Sequence, residues 1–146
     1  MEKGKLTQNG VHLQEHEYAT VKLFLKKGYN IELIPPSAIK GLQMADVMLQ
    51  GIPWEKKAPK GDGKNTIKHT FQNAGHQSSN VIIDLRRCKL SEEIAMKDIK
   101  YYFKTSKRIR KMKIILNDEK IPSLTVKTRG KLVFKRIPRV LFWVKV

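Results

Sequence analysis

Three charged side chains flank a predicted turn near the middle of the chain. Asp46 opens one apolar run, and Glu55 and Lys57 close a second run that follows a Gly-Ile-Pro turn at residues 51–53. Because side chains alternate between the two faces of a strand, Glu55 and Lys57 are predicted to lie on the same face. A hairpin between the two runs would bring Asp46 beside them. Two carboxylates and one ammonium group at the end of a sheet suggest phosphodiester chemistry.

Two mechanisms fit these residues, and the sequence does not choose between them. If Asp46 and Glu55 hold a divalent cation such as Mg²⁺, Lys57 can stabilise the charge that develops on the scissile phosphate. Without a metal ion, Glu55 can act as a general base and Lys57 as an electrostatic clamp. His69, one turn after a predicted helix start at Thr66, is a further acid or base candidate because histidine titrates near neutrality. The alternative is that these side chains belong to solvated faces and have no catalytic role.

The overall charge points to a polyanionic partner. The chain has 30 Lys and Arg residues against 13 Asp and Glu residues, a formal net charge of +17. Nucleic acid is the first partner class this balance indicates, followed by an acidic protein that masks the site. The single cysteine and the lack of a long apolar run predict a cytoplasmic site of action without membrane insertion. Delivery as part of a larger secreted or mobile-element protein is compatible with both features.

Two stretches carry the residues that could bind a phosphate backbone. A glycine-rich basic loop at residues 60–65 leads into a helix N-terminus, where backbone N–H groups can hold phosphate. The second stretch follows the end of that helix and surrounds an apolar strand. The loop could equally be a simple connector. The candidate nucleic-acid-binding residues are Lys60, Lys64, Thr66, Lys68, Gln77, Ser78, Asn80, Arg86 and Arg87.

A later segment combines aromatic and cationic side chains. Tyr101 and Tyr102 precede five cations between residues 104 and 111 at the predicted end of a helix. Cations are favoured at a helix C-terminus, which explains one or two of them. The others would form a phosphate-binding surface, and the two tyrosines could stack nucleic-acid bases. Such aromatic residues are more often part of a core.

Hydrophobic periodicity predicts an α+β domain whose elements follow the order α-β-β-β-α-β-α-β. A central mixed or antiparallel sheet would be flanked by helices. The apolar run at residues 81–85 is typical of a central strand covered on both faces. We predict a flexible leader at residues 1–10 and a nuclease-like domain at residues 11–121. A basic, β-rich extension at residues 122–146 would pack on the same domain.

This order of elements resembles the core of PD-(D/E)xK nucleases. That core has an αβββαβ arrangement with Asp at its second strand and Glu-x-Lys at its third, here Asp46, Glu55 and Lys57. No proline precedes Asp46, and Glu17 in the first helix stands at the fourth acidic position. The resemblance implies a metal-dependent deoxyribonuclease or resolvase in which Asp46 and Glu55 bind the metal.

A second resemblance spans most of residues 15–121. The runs GIPWEKKAPKG at 51–61, NTI at 65–67 and QSSNVIIDL at 77–85 resemble the C-terminal tRNase domains of CdiA-type contact-dependent inhibition toxins. For some members this resemblance implies a barnase/EndoU/colicin/RelE-like fold and RNA cleavage without a metal cofactor. An acidic immunity protein would be a partner. We therefore favour a tRNA-cleaving toxin-type effector, and a non-catalytic nucleic-acid-binding module is the alternative from a different class.

Overall fold

The computed structural model describes residues 2–36 and 45–126, and the backbone of residues 132–137 and 140–145. Three helices and seven strands of the described chain build one α+β domain, as predicted. The elements are β1 (Leu6–Thr7), α1 (Glu15–Lys26), β2 (Ile31–Leu33), β3 (Val47–Leu49), β4 (Ile52–Lys57), α2 (Thr66–Gly75), β5 (Asn80–Asp84), α3 (Glu92–Thr105), β6 (Lys111–Ile115) and β7 (Ser123–Thr125). A separate two-stranded antiparallel sheet contains β8 (Leu132–Ile137) and β9 (Val140–Lys145).

The seven strands lie in chain order across one mixed sheet. Strands β2, β3 and β4 are antiparallel to one another, whereas β4, β5 and β6 are parallel. Strand β1 adds in parallel to β2 at one edge, and β7 adds antiparallel to β6 at the other. Helices α2 and α3 connect the parallel strands, because a parallel connection needs a crossover. The segment from α1 to β5 therefore has the predicted αβββαβ order.

The sheet has a hydrophobic core on each face. Residues of α2 and α3 pack on one face, around Val81 and Ile83 of β5. Residues of α1 pack on the other face, around Ile82 and Trp54. Alternate residues of β5 thus point into different cores, which explains its continuous apolar sequence.

The hairpin turn lies one position earlier than predicted. Gln50 and Gly51 both have positive φ angles, of 50° and 79°, and they form a two-residue turn. Ile52 and Pro53, predicted in the turn, are strand residues that pair with Leu49 and Met48. A two-residue hairpin turn of this kind needs positive φ at both central positions, and glycine adopts it without strain.

Residues 4–7 of the predicted leader are bonded to the rest of the domain, and Leu6–Thr7 form β1. Ile31 N–H donates to the Lys5 carbonyl at 2.9 Å, and Gly4 N–H donates to the Leu25 carbonyl at 2.8 Å. Gly4 has no room for a Cβ, which would collide with the Tyr29 carbonyl. At the other boundary, β7 lies beyond residue 121 and still belongs to the main sheet. The side chains of residues 127–146 lie outside the described part of the chain.

Candidate active site

A cleft opens where β4 and β5 end. The carboxyl ends of these parallel strands meet at one edge of the sheet, where ligands commonly bind in α/β sheets. Helix α1 borders the cleft on one side and α2 on the other, and its volume is about 280 Å³. Its lining consists of His16, Glu17, Thr20, Lys56, Lys57, Ala58, Pro59, Thr70, Asn73 and Arg87.

Glu55 is a buried carboxylate directly behind Lys57. It is only 3% exposed, and it shares the α2–α3 face of the sheet with its register partner Val81. Its Oε1 lies 3.2 Å from Lys57 Nζ, while its buried Oε2 has no hydrogen-bond partner. Burial raises the pKa of Glu55 from 4.5 to about 7, and the charge of Asp46 adds to the rise that Lys57 opposes. Glu55 can therefore gain or lose a proton near neutral pH.

Asp46 is held beside Glu55 by the backbone of β4. Its own N–H donates to the Trp54 carbonyl at 3.1 Å, and its Oδ2 accepts the Lys56 N–H at 3.0 Å. These two bonds attach Asp46 to the residues on either side of Glu55, which explains the electrostatic interaction between the two carboxylates. The structure thus brings together Asp46, Glu55 and Lys57.

These carboxylates can accommodate a small divalent cation. Glu55 Oε2 has no protein partner, and Asp46 keeps a second oxygen that Lys56 does not engage. Mg²⁺ usually keeps several waters and binds through one or two carboxylates, which matches this pair. Within residues 2–36 and 45–126, no three His, Cys, Asp or Glu side chains group as a metal cluster. A site built here would be a two-carboxylate site completed by water or substrate.

Glu17 reaches the cleft from α1 but faces Lys56. The Lys56 Nζ lies 3.7 Å from Glu17 Oε1, and Lys56 points to the α1 face of the sheet. Glu17 is itself bonded to the Gln14 N–H at the start of α1, at 2.9 Å. This predicted fourth acidic residue therefore lines the cleft as the partner of a lysine.

A buried ion pair that the sequence analysis did not single out fixes α1 to the end of β5. Asp84 is 4% exposed, accepts the Thr20 hydroxyl at 2.7 Å and forms a 2.8 Å salt bridge with Arg86. Burial alone would raise the pKa of Asp84, but the Arg86 and Thr20 hydrogen bonds outweigh it and hold that pKa below its usual value. The available signal was an acidic residue ending an uninterrupted apolar run.

The two arginines after β5 differ in availability. Arg86 also donates to the Ala19 carbonyl at 3.0 Å, so its guanidinium is committed within the protein rather than free for phosphate. Arg87 is exposed, lines the cleft and donates from Nε to the Ala58 carbonyl at 2.7 Å. Of the two, Arg87 is the one placed to meet a ligand.

The basic loop before α2 is anchored, with its lysines exposed. Gly61 packs against the Thr66 side chain so closely that a Cβ would lie 2.7 Å from Thr66 Oγ1. The Gly61 carbonyl also accepts the Lys89 N–H at 3.3 Å. Lys60 and Lys64 extend from this loop into solvent.

The remaining predicted residues lie away from the cleft lining. His69 is exposed on α2, and Lys68 lines a different groove between α2 and α3. Gln77, Ser78 and Asn80 lie at the amino end of β5, and the two ends of this strand are about 13 Å apart at 3.3 Å per residue. The Asn80 side chain donates to the Pro53 carbonyl, and the Asn80 N–H donates to Ser78 Oγ. Ser78 and Asn80 therefore hold the backbone at the start of β5.

The family model described as the contact-dependent growth inhibition CdiA C-terminal domain matches residues 43–121, more than half of the chain. The chain belongs to this family. The matched segment includes Asp46, Glu55, Lys57 and the whole parallel part of the sheet up to β6. The CdiA C-terminal domain is thus a toxin-type effector domain, and its family places it in a larger secreted protein.

A solved structure supports the fold of this CdiA C-terminal domain. The CdiA-CT/CdiI toxin and immunity complex from Burkholderia pseudomallei matches with a TM-score of 0.59 at 18% identity. The match covers 84% of this chain and 99% of that one. A search of curated proteins found no match. Among the described residues, no helix is both long and apolar enough to cross a membrane.

Proposed function

We propose that this CdiA C-terminal domain is an endoribonuclease that cleaves tRNA in the cytoplasm of a target cell. The observation that carries the proposal is the buried Glu55 carboxylate, whose Oε1 pairs with Lys57, a lining residue of the cleft, and whose Oε2 has no hydrogen-bond partner. Family membership supports a toxic nuclease-type effector, and the charge of +17 favours a polyanionic substrate.

Without a metal ion, Glu55 would act as the general base. Its pKa of about 7 leaves a large ionised fraction at neutral pH, so the carboxylate, once a side-chain movement uncovers it at the cleft, would accept the proton of a ribose 2′-hydroxyl. The 2′-oxygen then attacks the adjacent phosphorus and forms a cyclic phosphate, while the 5′-oxygen leaves and takes a proton from water. Lys57 would stabilise the negative charge on the non-bridging phosphate oxygens. Only RNA supplies the 2′-hydroxyl that this route requires.

The two neighbouring carboxylates favour a second candidate, a metal-dependent PD-(D/E)xK deoxyribonuclease or resolvase. A divalent cation bound by Asp46 and Glu55 would polarise the phosphate and activate water. In that case Glu55 holds the metal instead of taking the proton, and Lys57 keeps its role at the phosphate. This route does not need a 2′-hydroxyl and so extends to DNA.

The surface around the cleft fits a phosphate backbone. Arg87 and Lys57 line the cleft, and Lys60 and Lys64 extend from the adjoining loop. The same cations would attract an acidic immunity protein, which by covering the cleft would exclude RNA. The related complex contains a toxin and an immunity protein, which supports such a partner here.

The deciding experiment compares substrates and metal conditions with purified protein. Total tRNA, single-stranded DNA and a four-way DNA junction are incubated with the parent, Glu55→Gln and Lys57→Ala, in Mg²⁺ or EDTA. We expect tRNA cleavage that survives EDTA, and a loss of about a hundredfold or more in both variants. The exposed pair of Asp118 and Lys120, at 3.6 Å, supplies the matched controls Asp118→Asn and Lys120→Ala, which should keep parental activity.

The other outcomes contradict this assignment in different ways. Cleavage of DNA only when Mg²⁺ is present would support the metal-dependent alternative. Nucleic-acid binding without cleavage of any substrate would leave a non-catalytic binding module. A fully active Glu55→Gln variant would remove the site itself.

A further inference from the structure

A second groove lies on the other side of α2 from the cleft. It runs between α2 and the C-terminal end of α3, and its volume is about 400 Å³. Lys68, Phe71 and Gln72 line it from α2, while the cleft is lined from the same helix by Thr70 and Asn73. A helix with its side chains is about 10–12 Å thick, so one extended ligand could contact both sites.

The floor of the groove is aromatic. The Phe71 and Tyr102 rings lie 5.8 Å apart, and Tyr102 meets the ring of Tyr101 edge-to-face at 5.0 Å. Phe71 is buried, Tyr102 is partly exposed, and Tyr101 is 61% exposed. The ring that the groove offers to a stacked base is therefore that of Tyr102, which is partly exposed and is supported by Phe71.

The rim of the groove is cationic. Lys68, Lys107 and Arg108 line it, and no carboxylate is among the described residues that do so. Arg108 Nη1 lies 2.7 Å from His76 Nδ1, and because an arginine only donates, His76 Nδ1 accepts this bond. The contact fixes the guanidinium at the groove with further donors still available. The aliphatic part of Arg108 lies close to Gly75, where an added Cβ would be 3.6 Å from it, at ordinary van der Waals contact.

We infer that this groove is a second RNA-binding site, which takes an unpaired nucleotide of the substrate. The base would stack on Tyr102, and its flanking phosphates would contact Lys68, Lys107 and Arg108. The inference builds on the proposed ribonuclease function, since a strand held here and passing over α2 would enter the cleft that Lys57 lines. Aromatic floor and cationic rim together favour a single-stranded nucleic acid over an acidic protein surface.

The charge contribution is tested by binding, separately from cleavage. The probe is a fluorescent 2′-O-methyl RNA octamer, whose blocked 2′-oxygen prevents the proposed attack. The variant Lys68→Ala/Lys107→Ala/Arg108→Ala is compared with Lys22→Ala/Lys26→Ala/Lys27→Ala, which removes the same charge from exposed positions on α1 and its C-cap. We expect the groove variant to lose about tenfold in affinity and about 2 in the slope of log K against log salt. The α1 variant should remain within about twofold of the parent.

The stacking contribution is tested with an abasic octamer of equal charge. The parent should prefer the base-containing probe by about fivefold or more, and Tyr102→Leu should lose that preference. Tyr18→Leu, at a tyrosine that is 45% exposed on α1, is the control and should keep it. Equal losses in the groove and α1 variants, or an unchanged preference in Tyr102→Leu, would overturn the inference. Lys68→Ala/Lys107→Ala, at two exposed positions, repeats the charge test if the triple variant fails to fold.

Failure of this inference and failure of the proposed function give different results. If the groove binds no RNA, the groove variants still cleave tRNA and only the second site is lost. If the protein is no ribonuclease, the octamer measurements remain valid because they do not depend on cleavage.

Discussion

Glu55 destabilises the fold at neutral pH and above, where the proposed general base must be ionised. A carboxyl group whose pKa rises from 4.5 to about 7 binds its proton more tightly in the folded state than in the unfolded state. The resulting penalty is absent below pH 4.5, grows between the two values, and is complete above pH 7. A residue kept only for stability would not have this property.

Replacing Glu55 by Gln should therefore stabilise the protein while it removes activity. At pH 8 we expect the free energy of unfolding to rise by on the order of 1–3 kcal/mol, because the buried charge is gone. At pH 5 the gain should be much smaller. Urea unfolding in EDTA at both pH values measures the difference. Equal effects at pH 5 and pH 8 would show that burial does not perturb this carboxylate.

At the scale of elements, the Asp84 network attaches α1 to the end of β5. Thr20 and Arg86 both bond Asp84, and Arg86 reaches back to the Ala19 carbonyl of α1. Since the depressed pKa of Asp84 marks a stabilised carboxylate, this contribution is present above the unfolded-state pKa and is lost as the pH falls through the folded one.

Asp84→Asn should lower the free energy of unfolding by about 3 kcal/mol at neutral pH, since it leaves a partly buried guanidinium with only the more distant Glu119 carboxylate, at 3.7 Å. Asp118→Asn is the control, because its ion pair with Lys120 is exposed and should contribute less than about 1 kcal/mol. Thermal unfolding of the three proteins makes the comparison. If Asp84→Asn unfolds at the same temperature as the parent, the Asp84 network does not contribute to the stability of the fold.

The elements could be predicted from sequence better than the contacts between them. Periodicity indicated the helices and the central strand, because the apolar residues of α2 share one face against one core and those of β5 alternate between two cores. It also indicated that Glu55 and Lys57 share a face. Strand β1 was not predicted because it depends on pairing with β2, which no local pattern encodes. Arg86 was likewise predicted to bind phosphate. Its hydrogen bonds to Asp84 and to the Ala19 carbonyl could not be predicted, because the Ala19 bond forms only when α1 packs on the sheet.

At the scale of the whole molecule, the excess of positive charge serves binding beyond any single site. Formal charges of +17 attract a phosphate backbone from a distance, and each contact releases counterions. The cleft, the loop before α2 and the groove between α2 and α3 would each contribute phosphate contacts.

Lys60→Ala/Lys64→Ala should weaken RNA binding and reduce its salt slope by about 1.4, at about 0.7 for each lost contact with a single strand. Both side chains are exposed, so stability should not change. The control Lys22→Ala/Lys26→Ala removes the same charge from exposed positions in the C-terminal half of α1. A salt titration of octamer binding measures both slopes, and identical slopes would show that the loop is only a connector.

The chain-order arrangement of β1 to β7 has a consequence for how the domain forms. Each strand adds to the outer edge of the strand made before it, so none has to be inserted between two that are already paired. Every pairing joins strands that are consecutive in the chain, so no closure spans more than one connecting loop or helix, which limits the entropy cost of each step. A polypeptide that arrives unfolded, one end first, can therefore complete its sheet by growth at a single edge, in the order in which its segments become available.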